Sequence, residues 1–130
     1  MKLNIQMLDQ NSTVNNLKYI NQVEVNPGDS ATVIFQLIDD HAEGNRYIPA
    51  AGATMTARLV SSNNNNVISK IPTQPFSADD RSIWSFTLST AETAKASGVN
   101  LEIVLTEGAN VKRFWAKSVF IVAPNSPFRA

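Results

Sequence analysis

The sequence predicts an all-β fold, an antiparallel β-sandwich of seven or eight strands with one short helix. Apolar residues recur at every second position in several short segments, which is the pattern of strands that bury one face. Turn-forming residues separate these segments at short intervals, as they do in sandwiches. Only one segment has the spacing of a helix start, so the chain does not follow the alternation of strands and helices seen in α/β proteins.

Length and composition indicate a single folded domain. The chain has 130 residues, of which 43% are hydrophobic and 17% are charged, and this is enough to bury a core without covalent cross-links. We expect one sandwich domain over residues 1–123 and an extended tail over residues 124–130. The weakly charged surface suits contact with other proteins.

The charge balance and the missing residue types exclude several functions. Eleven basic and eleven acidic residues cancel, so no net field attracts nucleic acid or an anionic membrane, and neutrality favours self-association. The chain contains no cysteine, which excludes disulfides, thiolate metal sites and cysteine nucleophiles. No secretory signal pattern opens the sequence, and no apolar run reaches the roughly 18 residues of a membrane-spanning helix. We expect a soluble chain with neither nucleic acid nor membrane as a partner.

Two strands are predicted before the first clear turn. Apolar and polar residues alternate over residues 2–8, which predicts a half-buried strand. A polar connection over residues 9–16 leads to a second predicted strand over residues 18–25. The inward face of the first strand consists of Leu3, Ile5 and Met7.

The next turn and strand form the clearest part of the pattern. Pro27 presets φ for the first central position of a turn, and Gly28 accepts the positive φ that a type II turn needs at the second. The strand that follows, over residues 31–38, is largely apolar on both faces, which predicts a central position in a sheet. Its inward residues are Ala31, Val33, Phe35 and Leu37.

The middle of the chain predicts a hairpin. A long connection over residues 41–52, rich in glycine and proline, leads to a strand over residues 54–60. An asparagine-rich loop over residues 61–66 turns the chain back into a strand over residues 67–71. Two prolines end that strand by removing ladder donors.

The last third predicts a strand, the helix and a closing hairpin. A strand over residues 83–88 runs into Ser89 and Glu92, which have the spacing of a capping box. About two helical turns follow, and Gly98 can end them in the left-handed conformation. The predicted closing hairpin has strands over residues 101–106 and 111–122.

The order of these motifs resembles one known arrangement. A Pro-Gly-Asp turn precedes a strand that ends in Leu-Ile-Asp-Asp, a Gly-Ala pair opens a later strand, and a capped helix leads to a glycine before the last hairpin. The motifs are Pro27 to Asp29, Phe35 to Asp40, Ala51 to Thr54, Trp84 to Ser89 and Gly98. They resemble the immunoglobulin-like β-sandwich domains of tailed-bacteriophage virion proteins, among them the amino-terminal domain of the upper baseplate proteins of lactococcal-type phages.

The resemblance implies an immunoglobulin-like sandwich with a structural role in a virion. The family carries no catalytic residues, so we expect neither an enzyme nor a cofactor. We expect a decoration, connector, or baseplate or tail adaptor subunit, assembled in the host cytoplasm, that contacts capsid, tail or baseplate proteins. A homo-oligomer or symmetric array is expected, because symmetry multiplies modest contacts into avidity.

One acidic segment invites interpretation as a metal site. His41 lies between Asp39, Asp40 and Glu43, which makes four potential ligands within five residues. Adjacent acids on an extended chain point to opposite faces, and no second histidine exists to complete a zinc site. The glycine and acid positions do not match an EF-hand loop either. We interpret the segment as a solvated loop and expect no metal.

Two further polar groups have simple structural explanations. Asp79 and Asp80 form a carboxylate pair beside Arg81, but acid–base chemistry needs partners that converge in a pocket, and these residues lie in a predicted turn. Ser89 has neither a G-x-S-x-G elbow nor a histidine partner, so helix capping explains it. No catalytic residue is predicted.

Aromatic residues support an alternative function, a carbohydrate-binding module that recognises host surface glycan. Phe114 and Trp115 alternate on one strand, so one of them belongs to the core and the other faces outward. Trp84 or Trp115 is the expected platform for a sugar ring. The basic residues of the last strand are too few for a nucleic-acid stripe, and they are Lys112, Arg113 and Lys117.

Two segments are the predicted contact surfaces for assembly. The tail over residues 124–130 contains an aromatic residue and an arginine, which are types that anchor interfaces. We interpret it as a docking arm, with a disordered terminus as the alternative. The first strand can also pair with a neighbouring subunit by strand addition. The predicted interface residues are Leu3, Ile5, Met7, Trp115, Pro127, Phe128 and Arg129.

Overall fold

A computed structural model describes residues 3–13, 15–20, 23–25, 28–39, 46–60, 66–74, 81–95, 100–116 and 120–122. Seven strands of five or more residues form most of the fold: β1 (Leu3–Leu8), β4 (Ala31–Asp39), β5 (Thr54–Val60), β6 (Asn66–Lys70), β7 (Ile83–Leu88), β8 (Asn100–Glu107) and β9 (Asn110–Ala116). Three shorter strands and one helix complete the described elements: β2 (Tyr19–Ile20), β3 (Val23–Val25), β10 (Phe120–Val122) and α1 (Thr90–Lys95).

The strands form a sandwich, as the sequence predicts. The hydrogen-bonded order is β6-β5-β8-β9-β1-β4-β7, with β2 added beside β1. This path has two halves, β6-β5-β8-β9 and β1-β4-β7. One continuous core contains buried residues from both: Leu59 and Ile103 come from the first half, and Phe35 and Phe86 come from the second. The two halves therefore face each other across a shared hydrophobic layer, which is how a sandwich buries its inner faces.

The two halves are also joined at their edges. Strand β1 pairs with β9 through Asn4 and Trp115 on one side. On the other side, Thr73 forms an isolated bridge with Ser85 of β7, with two backbone hydrogen bonds of 2.8 Å. Because residues 71–74 directly follow β6, the chain passes from the edge of one half to the edge of the other.

Most strand pairs are antiparallel, as predicted, and two pairs are parallel exceptions. Strands β1 and β9 are parallel, and so are β3 and β10. Parallel partners need a connection that carries the chain back to the same end. Local alternation along one strand contains no information about that long-range choice.

Two predicted strands are each divided in the structure. The segment over residues 18–25 forms β2, which pairs with β1, and β3, which pairs with β10. The segment over residues 111–122 likewise forms β9 and then β10. Each half of a divided strand bonds to a different sheet, which one straight strand cannot do.

The central strand is β4, as predicted, since β1 and β7 pair with its two edges. Its inward residues Val33, Phe35 and Leu37 are 0–1% exposed, and the rings of Phe35 and Phe86 lie 6.1 Å apart. On its other face Ile34 joins a smaller cluster with Leu8 and Ile83. Strand β5 also has its predicted bounds, with Met55, Ala57 and Leu59 buried.

The positive φ predicted for Gly28 and the predicted capping box are both confirmed, while Pro27 lies outside the described residues. Gly28 has a φ of 89°, the region that glycine enters without a steric penalty. The Ser89 amide donates to Glu92 Oε1 at 2.8 Å, and the Glu92 amide donates to Ser89 Oγ at 3.2 Å. The turn and the helix meet at Thr93, whose buried hydroxyl accepts from the Gly28 amide at 3.0 Å. The predicted helix end at Gly98 and the 124–130 tail lie outside the described residues, as do residues 61–65 of the predicted 61–66 loop; Asn66 begins β6.

Candidate functional site

The first strand supplies two residues of the main core. Ile5 and Met7 are 0% exposed and belong to the main core, and Leu3 packs against it. Strand β1 also has partners on both edges, β4 and β9. The prediction that Ile5 and Met7 meet a neighbouring subunit is therefore corrected, because the chain itself buries both side chains. For the partly buried Leu3 it stays a prediction.

The other predicted interface residues are only partly described. The backbone of Trp115 lies in β9, directly opposite Glu102 and Asn4. The side chain of Trp115 lies outside the description, as do Pro127, Phe128 and Arg129. Their role in assembly stays a prediction.

The aromatic residues of β7 and β9 differ in exposure. Phe114 is 0% exposed and Phe86 is 5% exposed, so both are core residues and neither is a platform for a sugar ring. Trp84 is only partly buried and packs on the rim of the main core. Its indole Nε1 donates to the Arg81 carbonyl at 2.8 Å, which fixes the ring and leaves its apolar surface for contacts.

Trp84 lies in a cavity of about 370 Å³ between β5 and β7. We call this cavity the β5–β7 groove. One wall is the start of β5 with the segment that precedes it, and the other is β7 with the segment that crosses from β6. The residues that line it are Pro49, Ala50, Gly52, Ala53, Thr54, Met55, Thr56, Ile71, Pro72, Arg81, Trp84 and Leu105.

The rim of the groove combines an exposed apolar residue with a cation. Ile71 is 81% exposed and also lines a neighbouring cavity of about 270 Å³ beside Thr73 and Thr87. Arg81 is the only charged residue among those described along the groove. One of its guanidinium N–H groups donates to the Pro49 carbonyl at 3.1 Å, so the cation is tied to the opposite wall.

A polar cluster holds the wall that contains Ala50. The Glu107 carboxylate accepts from the Tyr47 hydroxyl at 2.6 Å and from the Ala50 amide at 2.7 Å. Lys112 Nζ forms an ion pair with Glu107 at 2.9 Å and lies 4.9 Å from the centre of the Tyr47 ring. The Tyr47 ring packs edge-on against Phe114 at 5.3 Å. The segment before β5 is thus fastened to the β8–β9 hairpin.

The contacts within this cluster shift the pKa values of its three titratable side chains. Hydrogen bonds from Tyr47, from the Ala50 amide and from Lys112 hold the pKa of Glu107 at about 2. Burial raises the pKa of Tyr47, helped by its hydrogen bond to Glu107. Lys112 Nζ also donates a hydrogen bond to the Tyr47 hydroxyl, which raises the pKa of Lys112. In all three groups the pKa moves further from 7, so each group keeps one protonation state at pH 7. The cluster therefore stabilises the structure and does not transfer protons.

The basic residues of β9 are engaged in ion pairs. Lys112 pairs with Glu107, and Arg113 lies 3.3 Å from the buried Glu102 carboxylate. Glu102 also accepts from Arg58 at 2.7 Å. These cations are therefore balanced by carboxylates. Lys117 lies outside the described residues.

The part of the chain that the structure describes contains neither a metal-binding cluster nor a membrane-spanning helix. No group of three or more His, Cys, Asp or Glu side chains there could hold a metal ion. Within the same residues, no helix has the length and apolarity needed to cross a bilayer. Asp40, His41, Glu43, Asp79 and Asp80 lie outside this description.

Comparison with protein-family models gives no match, and comparison with curated proteins gives none either.

Sequence reasoning missed the groove and the Tyr47 cluster. Glu107 and Lys112 flank the predicted hairpin turn, so their proximity could have been foreseen from cross-strand pairing. Tyr47 has no such local signal, because it reaches Glu107 from 60 residues earlier in the chain. Ile71 stands in the sequence as the end of a strand, and only its 81% exposure distinguishes it from a core residue.

Proposed function

We propose that this protein is a non-enzymatic structural subunit of a bacteriophage particle that acts through protein–protein contacts. The observation that carries the proposal is the exposed apolar rim at Ile71 beside the β5–β7 groove. An exposed apolar surface next to a formed cavity is a common feature of interaction sites. The phage setting rests on the sequence resemblance.

The proposed subunit decorates, connects or adapts other virion proteins of the capsid, tail or baseplate. Copies in a symmetric array need only modest contacts each, since avidity multiplies them. The neutral net charge is compatible with close packing of identical subunits. Such a subunit is assembled in the host cytoplasm and then resides in the virion.

Light scattering of the full chain over a range of concentrations tests this proposal. We expect a defined oligomer, and a double substitution of the tail, Phe128→Ser with Arg129→Gln, tests whether the predicted arm contributes. Loss of the oligomer in this variant supports the docking arm. A protein that stays monomeric at every concentration and shows no affinity for purified virion components contradicts the proposal.

A second function is favoured by the partly exposed Trp84 in the groove. A tryptophan face can stack on a pyranose ring, and we propose glycan binding as the alternative. The Trp115→Phe variant leaves Trp84 as the single tryptophan, so its fluorescence reports on the groove alone. A saturable emission change with host glycans supports this alternative, and an unchanged spectrum with all of them contradicts it.

A further inference from the structure

We propose that the β5–β7 groove binds an extended peptide segment of a partner protein, one that presents a large apolar side chain next to a carboxylate. This inference deepens the proposed function and rests on it. It names the chemistry of the partner segment and the place where that segment binds.

The size and lining of the groove favour an apolar anchor. A cavity of about 370 Å³ lies within the range of sites that enclose a ligand group. Met55, Leu105 and Pro72 contribute apolar surface to it. Ile71 at the rim leaves 81% of its surface exposed, and a partner side chain that covers it removes apolar area from water.

The single cation of the described lining sets the polar part of the ligand. The Arg81 guanidinium carries five N–H donors in a planar fork, and the bond to the Pro49 carbonyl uses one of them. A carboxylate is the group that matches this fork with two parallel, charge-assisted hydrogen bonds. A partner segment that places an acidic residue beside its apolar anchor satisfies both features.

Both walls of the groove are held by hydrogen bonds within the chain itself. The Ala50 amide is bound by Glu107 at 2.7 Å on one wall. On the other wall the indole of Trp84 is bound to the Arg81 carbonyl at 2.8 Å. A preorganised site loses less conformational entropy when a ligand binds, so the groove needs little rearrangement to accept a segment.

The balance of groups favours a peptide over a sugar. Only Thr54, Thr56 and Arg81 bring side-chain hydrogen-bonding groups other than the engaged indole to the described lining, and the rest is apolar side chain or glycine. A sugar ring carries several hydroxyls that lose water on burial and need partners. The apolar anchor side chain of a peptide brings no polar group into the cavity, and the backbone amides of the peptide can keep their water at the open rim.

The test uses two-dimensional ¹⁵N NMR of the full chain, in which the indole N–H of Trp84 reports on the groove. Comparison with the spectrum of the Trp84→Phe variant assigns its signal. The probes are acetyl-Gly-Leu-Phe-Glu-Gly-amide and the two peptides in which Gln or Lys replaces Glu. We expect a saturable shift with the Glu peptide and affinity about tenfold weaker for the Gln peptide.

Three variants separate the two parts of the proposal. Arg81→Gln removes the preference for Glu over Gln, and Ile71→Ser weakens both peptides. Val111→Ser is the matched control, because Val111 is also an exposed aliphatic residue, at 57%, but does not line the groove. It leaves both affinities unchanged.

The inference is overturned if no peptide shifts the indole signal, or if the Glu, Gln and Lys peptides bind equally well. It is also overturned if sodium glucuronate shifts the signal and the peptides do not, which assigns the groove to an acidic sugar. Light scattering of the unmodified chain separates this failure from failure of the proposed function. An intact oligomer without peptide binding overturns the groove assignment alone.

Discussion

The carboxylate of Glu107 accepts a hydrogen bond of 2.6 Å from the hydroxyl of Tyr47, which lies 60 residues earlier in the chain. This contact fastens the segment that leads into β5 to the end of the β8–β9 hairpin. The same carboxylate binds the amide of Ala50, a residue of the groove wall. The stability of this end of the sandwich and the shape of the groove therefore depend on the same side chain.

The substitution Glu107→Gln is expected to lower the free energy of unfolding by about 1–2 kcal/mol at pH 7. The folded protein holds the pKa of Glu107 at about 2, below the value of about 4.3 in an unfolded chain. A lowered pKa stabilises the fold above the unfolded value, and this stabilisation disappears as the pH falls from about 4 to about 2. Urea unfolding at pH 7 and pH 3 measures it.

The difference between the unmodified chain and Glu107→Gln should therefore narrow at pH 3. A difference of the same size at both pH values would show that the charge of Glu107 does not contribute. Asp9→Asn is the matched control, since Asp9 is also a carboxylate with a hydrogen bond, 2.8 Å from the Asn11 amide, but it lies in a partly exposed turn.

The substitution Thr93→Val is expected to destabilise the protein by about 1–3 kcal/mol, because it keeps the shape and removes a buried hydroxyl. This hydroxyl accepts from the Gly28 amide at 3.0 Å and donates to the Asp29 carbonyl at 2.8 Å. Hydrogen exchange of the Gly28 amide gives the specific readout. Exchange should be faster in Thr93→Val and close to normal in Thr93→Ser, which keeps the hydroxyl; equal protection in both would contradict the role of this bond.

The two arginines that contact Glu102 should contribute unequally. The Glu102 side chain is 4% exposed, and Arg58 approaches it at 2.7 Å while itself being 31% exposed. Arg113 is 54% exposed and lies at 3.3 Å. We expect Arg58→Ala to cost about 2 kcal/mol because it leaves a buried carboxylate poorly paired, and Arg113→Ala to cost less than about 1 kcal/mol. Chemical unfolding of the two variants measures both losses of stability. A larger loss for Arg113→Ala than for Arg58→Ala would refute this ranking.

The capping box predicts that Ser89→Ala costs about 1 kcal/mol. The variant loses the acceptor for the Glu92 amide, and Glu92 also pairs with Lys70 of β6 at 2.7 Å. Ser89→Asp is the control, since an aspartate side chain can accept the same bond. Thermal unfolding should place Ser89→Asp close to the unmodified chain; if both variants lose the same stability, capping is not the reason for Ser89.

Several elements could be predicted because their signals are local. The bounds and the buried face of β5 follow from strict alternation between Thr54 and Val60. The bonds between Ser89 and Glu92 follow from a spacing of three residues. The positive φ of Gly28 follows from the turn chemistry of the Pro-Gly pair. In each case the residues that decide the local structure lie within a few positions of each other in the sequence.

The candidate site could not be predicted in the same way. The β5–β7 groove brings together residues from 49 to 105, and its rim depends on where residues 71–74 cross between the two halves. The first strand shows the same limit from the opposite side, since alternation identifies Ile5 and Met7 as an apolar face but not whether the chain or a partner covers it. Their 0% exposure gives that answer.

The sequence by itself determined which residues alternate, where turns occur and where the helix begins, because side-chain size, polarity and backbone preference act over a few residues. Only the tertiary structure decided that β1 lies parallel to β9, that β3 pairs with β10, and that Tyr47 reaches Glu107. The backbone donors and acceptors along a strand edge are nearly the same for every sequence. The choice of partner therefore depends on how the whole core packs, and the groove is a consequence of that packing.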